Sequence, residues 1–375
     1  MTEYKIIKNC DIYTPIKIIK NGSILIKGEK IAKVGHINES EIPREVKKYS
    51  FKNKLAVPGF IDIHLHGGEG VDILGSTPVS IVKALKAHLK NGTTSLLPTI
   101  MTASHQQTLQ TIKNLIHIKK KFKDIPEIIG LNLEGPYISK EKCGAQSTKY
   151  IRKPSLPETK EYIEASEKSI KIMTVAPEID GAINFIHFLT EQKIIPSAGH
   201  TNADYSQTEQ GIKSGIKLAT HLFNAMRGIF HRDPGAAGAL LLNNEVYTGV
   251  VADGIHLHPS ILKLITIVKP QEKIILITDA TKFYGIKQGA SFDQKGKLIG
   301  STKALNASLK NMIKFTGVTF EGILMAVTLN SAKLLNIENK KGQLKKGCDA
   351  DIVILNKNLN IRNVFLKGKI CKFNR

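Results

Sequence analysis

The chain has few of the residues that mark several protein classes. It contains no tryptophan, and its four cysteines form no CxxC pair: Cys10, Cys143, Cys348 and Cys371. Such wide spacing argues against a disulfide scaffold or a thiolate zinc finger. The sequence also has no run of about 18 apolar residues and no continuous apolar segment near its start, so we expect neither a transmembrane helix nor a signal peptide. The expected protein is soluble, globular and cytoplasmic.

The positive charge comes mostly from lysine. Lys and Arg together number 54 against 32 Asp and Glu, which gives a formal charge of +22, yet only six of the basic residues are arginine. Nucleic-acid sites favour arginine forks and stacking aromatic side chains. Because the lysines are scattered over many segments, we interpret the charge as a solvated surface. We expect no specific nucleic-acid partner and no membrane partner.

Eight short apolar runs occupy the middle of the chain, and helical patterns separate most of them. The runs are continuous rather than alternating, which is typical of parallel strands buried on both faces. Thr77-Pro78 favours a helix start and Asn91-Gly92 a helix end, while Ser104 and Pro259 mark further helix starts. Eight such units in series predict an α/β fold, a (β/α)8 TIM-like barrel. The predicted strands are 57–66, 93–101, 128–135, 171–178, 193–200, 218–225, 247–256 and 273–280.

The two ends of the chain differ from the middle. Both contain short strand-like pieces, which are divided near the start by turns at Asn21-Gly22 and Lys27-Gly28. We therefore predict a small β-sandwich domain formed by both termini, from residues 1–56 and 340–375. Residues 57–339 would form the catalytic barrel.

Histidines and carboxylates collect at the predicted strand ends, where the active sites of such barrels lie. His64 and His66 are two residues apart, so both imidazoles can face the barrel axis and share one metal. Glu134 and Asp279 end two other strands. Imidazole and carboxylate ligands without a thiolate fit a catalytic divalent metal with an open water position. Five of the 12 histidines end strands: His64, His66, His200, His221 and His256.

Taken singly, these residues have ordinary structural explanations. The HxH pair is a weak signal, and Glu134 could form a salt bridge at its strand end. His200 or His221 could be a hydrogen-bonded histidine, and Asp279 could cap a helix. Their joint placement would require several independent coincidences, so the set predicts a metal centre. Phosphate-loop, dinucleotide, nucleophile-elbow and HExxH motifs are absent from the sequence.

The sequence PGFIDIHLH at residues 58–66 resembles the amidohydrolase superfamily. Within it, the chain is similar to the family of deacetylases that act on N-acetylglucosamine 6-phosphate, nearly end to end and in the same order. The C-terminal sequence GCDADIV (347–353) is similar to the closing β-domain of that family. The other matching blocks are LEGP (133–136), APE (176–178), SAGHTNA (197–203), THLFNAM (220–226), ADGIH (252–256) and TDA (278–280).

This resemblance implies a metal-ligand set. Glu134, His200 and His221 would hold the main metal. His64 and His66 match members of the family that carry a second metal. One or two divalent ions per subunit are therefore implied, with zinc expected first and iron, cobalt, nickel or manganese as alternatives.

The resemblance also implies catalytic and substrate-binding residues. Asp279 would be the general acid and base. Arg232 and the backbone around Asn224-Ala225 would bind phosphate, although Arg232 could instead form an ion pair with Asp233. The implied substrate-binding residues are Ala145, Gln146, Asn224, Ala225, Arg232 and His256. A homodimer is implied as well.

The implied reaction is hydrolysis of the acetamide of N-acetyl-D-glucosamine 6-phosphate, in amino-sugar catabolism. Alternatives are the same chemistry on N-acetylgalactosamine 6-phosphate or another N-acyl amino sugar, a cyclic-amide hydrolase of the same superfamily, and a non-catalytic binding protein. One departure concerns specificity. The segment 279–300 is shorter than is usual in the family and carries Lys282-Phe283-Tyr284, so we expect it to narrow or shift the sugar preference.

Several histidines remain outside this set. We interpret His258 as loop surface. His88, His105, His117 and His187 fall on helical patterns, and we expect them to face solvent.

Overall fold

The structure, a computed structural model, describes residues 3–14, 17–286, 290–292 and 296–373. The strands in this part of the chain are β1 (Tyr4–Tyr13), β2 (Ile18–Lys27), β3 (Lys30–Gly35), β4 (Val46–Ser50), β5 (Leu55–Pro58), β6 (Phe60–Leu65), β7 (Gly67–Gly68), β8 (Val71–Asp72), β9 (Thr93–Met101), β10 (Glu127–Ile128), β11 (Leu131–Glu134), β12 (Ile170–Val175), β13 (Ile195–Ala198), β14 (Leu218–Ala219), β15 (Tyr247–Val250), β16 (Ile274–Leu276), β17 (Ala290–Phe292), β18 (Leu298–Ser301), β19 (Ile352–Leu355), β20 (Ile361–Leu366) and β21 (Lys369–Ile370).

The helices surround the middle strands. They are α1 (Pro78–Lys90), α2 (His105–Lys121), α3 (Leu156–Ala165), α4 (Ala182–Glu191), α5 (Tyr205–Ser214), α6 (Gly235–Leu242), α7 (Pro259–Val268), α8 (Leu305–Thr316), α9 (Phe320–Leu324) and α10 (Leu329–Leu334). None of the helices described is long and apolar enough to cross a membrane.

Eight parallel strands form the predicted barrel, in the order β6-β9-β11-β12-β13-β14-β15-β16. The sheet nearly closes on itself beyond β16, where the Asp279 amide donates to the His64 carbonyl at 3.0 Å and the His66 amide donates to the Ala280 carbonyl at 2.7 Å. The (β/α)8 fold is thus confirmed. Most strands are shorter than predicted because the chain leaves the ladder near the polar residues of the carboxyl ends. Glu134 still belongs to its strand, whereas His200, His221 and Asp279 lie beyond theirs.

The helix starts follow from local hydrogen bonding. The side chains of Thr77 and Ser104 accept backbone N–H groups in the first turns of α1 and α2, and Pro78 and Pro259 occupy first helical positions. The exposed His258 ring accepts the Ser260 amide at the start of α7. These caps satisfy donors that have no partner inside a helix, which is why the sequence signals located the starts correctly.

The terminal strands form a separate sheet in the order β21-β20-β19-β5-β1-β2-β3, with β4 pairing to β1. A sheet-rich region built from both ends of the chain is therefore present, as predicted. It encloses its own apolar cluster, which includes Ile7, Ile24, Ile354 and Phe365. The predicted boundary at 56/57 falls within β5, a strand of this terminal sheet. The division into two domains stays a prediction.

A buried ion cluster connects the barrel to the terminal sheet. The Lys341 ammonium lies 2.8 Å from Glu127, 2.8 Å from Asp349 and 2.6 Å from Asp351. Burial by itself lowers the pKa of Lys341, but the three carboxylates outweigh it and raise that pKa. Glu127 pairs with Ser95 near the start of β9, so the cluster lies at the amino end of the barrel strands.

Candidate metal centre

The two histidines that end β6 point the same way, as predicted. The Nε2 atoms of His64 and His66 are 3.1 Å apart, and both side chains are buried. Strand geometry explains this arrangement, because residues i and i+2 share one face and Leu65 points to the other.

Glu134, at the end of β11, lies at the centre of the cluster. Its Oε1 atom is 2.9 Å from His221 Nε2, 3.1 Å from His200 Nε2 and 3.2 Å from His64 Nε2. Its Oε2 atom is 3.4 Å from His66 Nε2. One carboxylate therefore reaches all four imidazoles, which arrive from three different strands.

Asp279 lies at the edge of the cluster that faces the cavity. Its Oδ1 atom is 3.1 Å from His66 Nε2 and 3.6 Å from His64 Nε2. Its Oδ2 atom is 3.6 Å from His256 Nε2. The same carboxylate thus contacts the predicted ligand pair and the predicted sugar-contacting histidine.

Backbone carbonyls orient two of the imidazoles. His66 Nδ1 lies 3.3 Å from the Thr99 carbonyl, and His200 Nδ1 lies 3.0 Å from the Lys142 carbonyl. A carbonyl only accepts, so each Nδ1 donates to it, and each Nε2 is directed at a carboxylate of the centre, where its lone pair would ligate a bound cation. Metal-binding histidines are oriented in this way by their outer hydrogen bonds.

The charges in the cluster depend on one another. Burial raises the pKa of Glu134, but His64 and His200 outweigh this effect and hold that pKa well below its usual range. Burial likewise raises the pKa of Asp279, and His256 and His66 bring it well below the ordinary value. Both carboxylates are therefore ionised, which a cation ligand requires.

Three of these residues have strained backbones. The φ angle is +48° at His200, +28° at His221 and +49° at Asp279, all in the left-handed region that most side chains avoid. Each follows the end of its strand, where the chain turns out of the ladder. Strain of this kind is concentrated at functional sites and persists because the surrounding structure holds it.

The donor set fits a divalent metal. His64, His66 and Asp279 offer ligand atoms within 4.8 Å of one another, as do His64, Glu134 and His221, and all five are buried. The donors are imidazole nitrogens and carboxylate oxygens, the set that catalytic zinc and related metals prefer. Two ionised carboxylates buried among imidazoles also gain from a cation at their centre.

A cavity of about 270 Å³ opens onto this cluster. Gln146 lies on its wall, where its Nε2 donates to Glu134 Oε2 at 2.7 Å and its Oε1 accepts the Thr102 amide at 2.7 Å. The structure thus brings most of the predicted site residues to one cavity. Those lining it are His66, Glu134, Ala145, Gln146, His200, His221, Asn224, Ala225, His256 and Asp279.

Arg232 is not among the residues that line this cavity. Its side chain is exposed on a short hairpin. The alternative ion pair with Asp233 is taken by a different arginine, since Arg227 Nε lies 2.7 Å from Asp233 Oδ2. The phosphate role of Arg232 stays a prediction.

Sequence reasoning gave no role to two acidic residues that support the site. Asp253 Oδ2 lies 2.7 Å from His256 Nδ1 and fixes that ring. Asp62 accepts the Thr278 hydroxyl at 2.6 Å, and burial raises the pKa of Asp62 to about 7. Asp62 lies two positions before His64, and Asp253 lies three positions before His256. This close spacing to predicted site histidines could have identified both residues from the sequence.

The expectation that His88 faces solvent is wrong. Its side chain is fully buried, its Nε2 lies 2.9 Å from the Gly67 carbonyl, and its ring stacks on Tyr284 with centroids 4.1 Å apart. The helical pattern was correct, but this position lies on the buried face of α1. His117 and His187 are exposed as expected, and His105 is partly exposed.

The chain is similar to known hydrolases in sequence. Residues 55–371 match the amidohydrolase family. The N-acetylglucosamine-6-phosphate deacetylase of Bacillus subtilis (strain 168) is 33% identical, over 99% of this chain and 98% of that protein. The N-acetylgalactosamine-6-phosphate deacetylase of Escherichia coli O157:H7 is 30% identical, over 85% of this chain and 88% of that protein.

Solved structures show the same fold. The N-acetyl-D-glucosamine-6-phosphate deacetylase of Mycobacterium smegmatis, solved as a mutant in complex with N-acetyl-D-glucosamine 6-phosphate, superimposes with a TM-score of 0.91. It is 27% identical and matches 98% of this chain and 99% of that one. The agreement therefore covers the barrel and the terminal sheet together.

Proposed function

The chain belongs to the amidohydrolase family, and from that premise we propose that it hydrolyses N-acetyl-D-glucosamine 6-phosphate to D-glucosamine 6-phosphate and acetate. The observation that carries this proposal is the position of Asp279. Its carboxylate lies between the imidazole cluster and the open cavity, within 3.6 Å of His64, His66 and His256. A residue that acts as acid and base in amide hydrolysis must lie between the metal ligands and the space where the substrate binds.

Amide hydrolysis requires two proton movements. Asp279 is ionised and accepts a proton from the attacking water, then delivers that proton to the leaving nitrogen, because an amine leaves poorly as an anion. His256, fixed by Asp253, faces the same carboxylate and binds the substrate beside it. The chemistry that a bound divalent cation supplies is polarisation of the amide carbonyl and acidification of water.

We propose that Glu134, His200 and His221 hold the main metal and that His64 and His66 contribute to a second position. Zinc is the expected metal, with iron, cobalt, nickel or manganese as alternatives, since imidazole and carboxylate donors suit all of them. The convergence of four Nε2 atoms on Glu134 supports this assignment.

We propose that Asn224, Ala225 and Arg232 bind the phosphate and that the protein is a homodimer. The Arg232 hairpin carries two exposed apolar side chains, Ile229 and Phe230, which suit contact with another protein surface. Arg232 lies outside the cavity of its own chain, so in this proposal it reaches the phosphate bound by the other copy. We place the enzyme in the cytoplasm, in amino-sugar catabolism.

Acetate release from N-acetylglucosamine 6-phosphate tests the proposal. We expect turnover that is lost on chelation, returns with zinc, and requires the phosphate of the substrate. Arg232→Ala should raise KM much more than it lowers kcat, because a phosphate contact is made before and during the reaction. A folded, metal-loaded protein that releases no acetate would contradict the proposal.

One alternative substrate has a specific observation in its favour. The E. coli O157:H7 relative acts on the galactosamine epimer and is nearly as similar in sequence as the B. subtilis protein. Parallel assays with the two epimers distinguish the alternatives. We expect the larger kcat/KM with the glucosamine compound.

A further inference from the structure

A second cavity, of about 230 Å³, lies beside the metal cluster. None of the proposed sugar and phosphate contacts Asn224, Ala225 and His256 lines it. It shares four lining residues with the main cavity, namely His66, Met101, Ala145 and Ile299. The two cavities therefore adjoin at His66, and we name the smaller one the side cavity.

The walls of the side cavity are largely apolar. Leu74 and Phe283 line it in addition to Met101, Ala145 and Ile299. Its charged residues, Asp72 and Lys282, pair with each other at 3.3 Å, and their side chains are almost half exposed. The two charges therefore pair with each other at the outer edge of the side cavity. The apolar interior of the cavity suits an aliphatic group.

The position of the side cavity matches one particular part of the substrate. In a planar trans amide, the carbon on nitrogen and the carbon on the carbonyl point in opposite directions. The proposed phosphate contacts Asn224 and Ala225 follow β14, and the proposed sugar contact His256 follows β15. Thr99 and Met101 of the side cavity belong to β9. Because β9 and β14 stand four strands apart in a barrel of eight, an amide over the metal cluster directs its acyl group toward the side cavity.

We infer that the side cavity is an acyl pocket and that the enzyme accepts N-acyl groups longer than acetyl on glucosamine 6-phosphate. This inference rests on the proposed function and specifies its substrate class. A water molecule, similar in size to a methyl group, occupies about 30 Å³ of liquid. A cavity of about 230 Å³ therefore exceeds what an acetyl methyl fills and has room for several more carbons.

The loop that follows Asp279 fixes the wall of this pocket. Tyr284 is buried, and its ring lies parallel to that of His88 within 6°. The Tyr284 carbonyl accepts the Glu69 amide at 2.8 Å, and the Lys282 carbonyl accepts the Gly70 amide at 2.8 Å. Phe283 stands between these two anchored residues. The unusual loop thus lines the acyl side of the site, and we expect it to control acyl length more than sugar identity.

The reaction with a longer acyl group uses the same atoms as before. Asp279 takes one proton from water as the water oxygen bonds to the carbonyl carbon, the C–N bond then breaks, and the nitrogen takes that proton from Asp279. The second water proton leaves the carboxylic acid and is taken up by the free amine or by solvent. The products are glucosamine 6-phosphate and the corresponding carboxylate.

The test measures kcat/KM for the N-acetyl, N-propanoyl and N-butanoyl derivatives of glucosamine 6-phosphate by release of the amine. We expect kcat/KM for the propanoyl and butanoyl compounds to stay within about tenfold of the acetyl value, since burial of each added methylene offsets its bulk. A loss greater than about tenfold for propanoyl would overturn the inference.

Two variants locate the pocket. Leu74→Phe fills it and should lower the butanoyl-to-acetyl ratio of kcat/KM about tenfold or more, whereas Leu74→Ile, which keeps the volume, should preserve that ratio. Phe283→Trp fills the same space and is the alternative test variant if Leu74→Phe does not fold. An unchanged ratio in a folded filled variant would overturn the inference. Failure to cleave the acetyl compound would instead contradict the proposed function.

Discussion

At the amino end of the barrel strands, the carboxylates of Glu127, Asp349 and Asp351 surround a buried lysine, whereas at the carboxyl end two buried carboxylates lie among imidazoles. Lys341 is within 2.8 Å of each of its three partners, so the charges of that cluster are compensated inside the protein. Glu134 and Asp279 are ionised beside imidazoles whose nitrogens point inward. The first arrangement is complete by itself and serves stability. In the proposed function, the second is completed by a cation and serves chemistry.

Replacing Asp279, the proposed acid and base of the carboxyl-end cluster, should have the largest effect. Asp279→Asn keeps the shape of the side chain but removes the proton acceptor, so we expect kcat to fall by about 10² to 10⁴-fold. Because the ionised Asp279 pairs with His66 and His256, we expect the substitution to lower the stability of the protein as well. Steady-state kinetics and thermal unfolding check both expectations. Unchanged kcat would show that another group moves the proton.

Breaking the amino-end cluster should lower the stability of the protein and leave kcat unchanged. Lys341→Met removes the cation that pairs with buried Asp351, while Glu127 keeps Lys367 and Asp349 keeps Lys30, and we expect the free energy of unfolding to fall by about 3–5 kcal/mol. The kcat of the protein that remains folded should not change. Denaturant unfolding measures the loss, and Lys340→Met, at an exposed neighbouring lysine, is the matched control. A large change in kcat without loss of stability would contradict the comparison.

The link between Gln146 and Glu134 tests whether outer contacts tune the carboxyl-end cluster. Gln146→Leu removes the hydrogen bond to Glu134 Oε2 while keeping the side chain of similar size. We expect metal affinity to fall about 10 to 100-fold, the usual effect of losing such a contact. Competition with a chelator measures the affinity. An affinity equal to that of the wild type would show that Glu134 needs no orienting partner.

His88 is a buried histidine without a carboxylate partner among the described residues, and its predicted effect has no counterpart at neutral pH and grows only as the pH is lowered. Burial lowers its pKa from 6.5 to about 4. Below pH 6.5 the unfolded chain therefore binds a proton that the folded chain does not. The stability that His88 contributes is full above pH 6.5 and declines as the pH falls toward 4, by at most about 1.4 kcal/mol per pH unit.

Unfolding free energies measured across pH 4–7 check this expectation. The slope should be smaller in His88→Gln, which has no imidazole to titrate. His117→Gln, at an exposed histidine of α2, should keep the wild-type slope. Equal slopes in the wild type and His88→Gln would show that His88 does not titrate in this way.

The parts of this fold that could be predicted are those with local causes. The buried strands appear as continuous apolar runs, and the starts of α1 and α2 follow from Thr77 and Ser104 as capping residues. The histidines at strand ends could be assigned to one site because the carboxyl ends of parallel strands meet on one face of the barrel.

What could not be predicted depends on distant contacts. Lys341 is one of many lysines, and nothing near it in sequence indicates that it is buried against Glu127. The burial of His88 depends on Tyr284, nearly 200 residues later in the chain. The exposed position of Arg232 depends on how its hairpin leaves the barrel, which no local pattern specifies.

Metal content per chain tests the comparison between the two ends most directly. The purified protein would be dialysed to equilibrium against zinc, and the bound metal counted in the wild type, Glu134→Gln and Lys341→Met. We predict one or two ions per chain in the wild type and in folded Lys341→Met, and fewer in Glu134→Gln. A folded wild-type protein that binds no metal, or equal binding in all three proteins, would contradict the account.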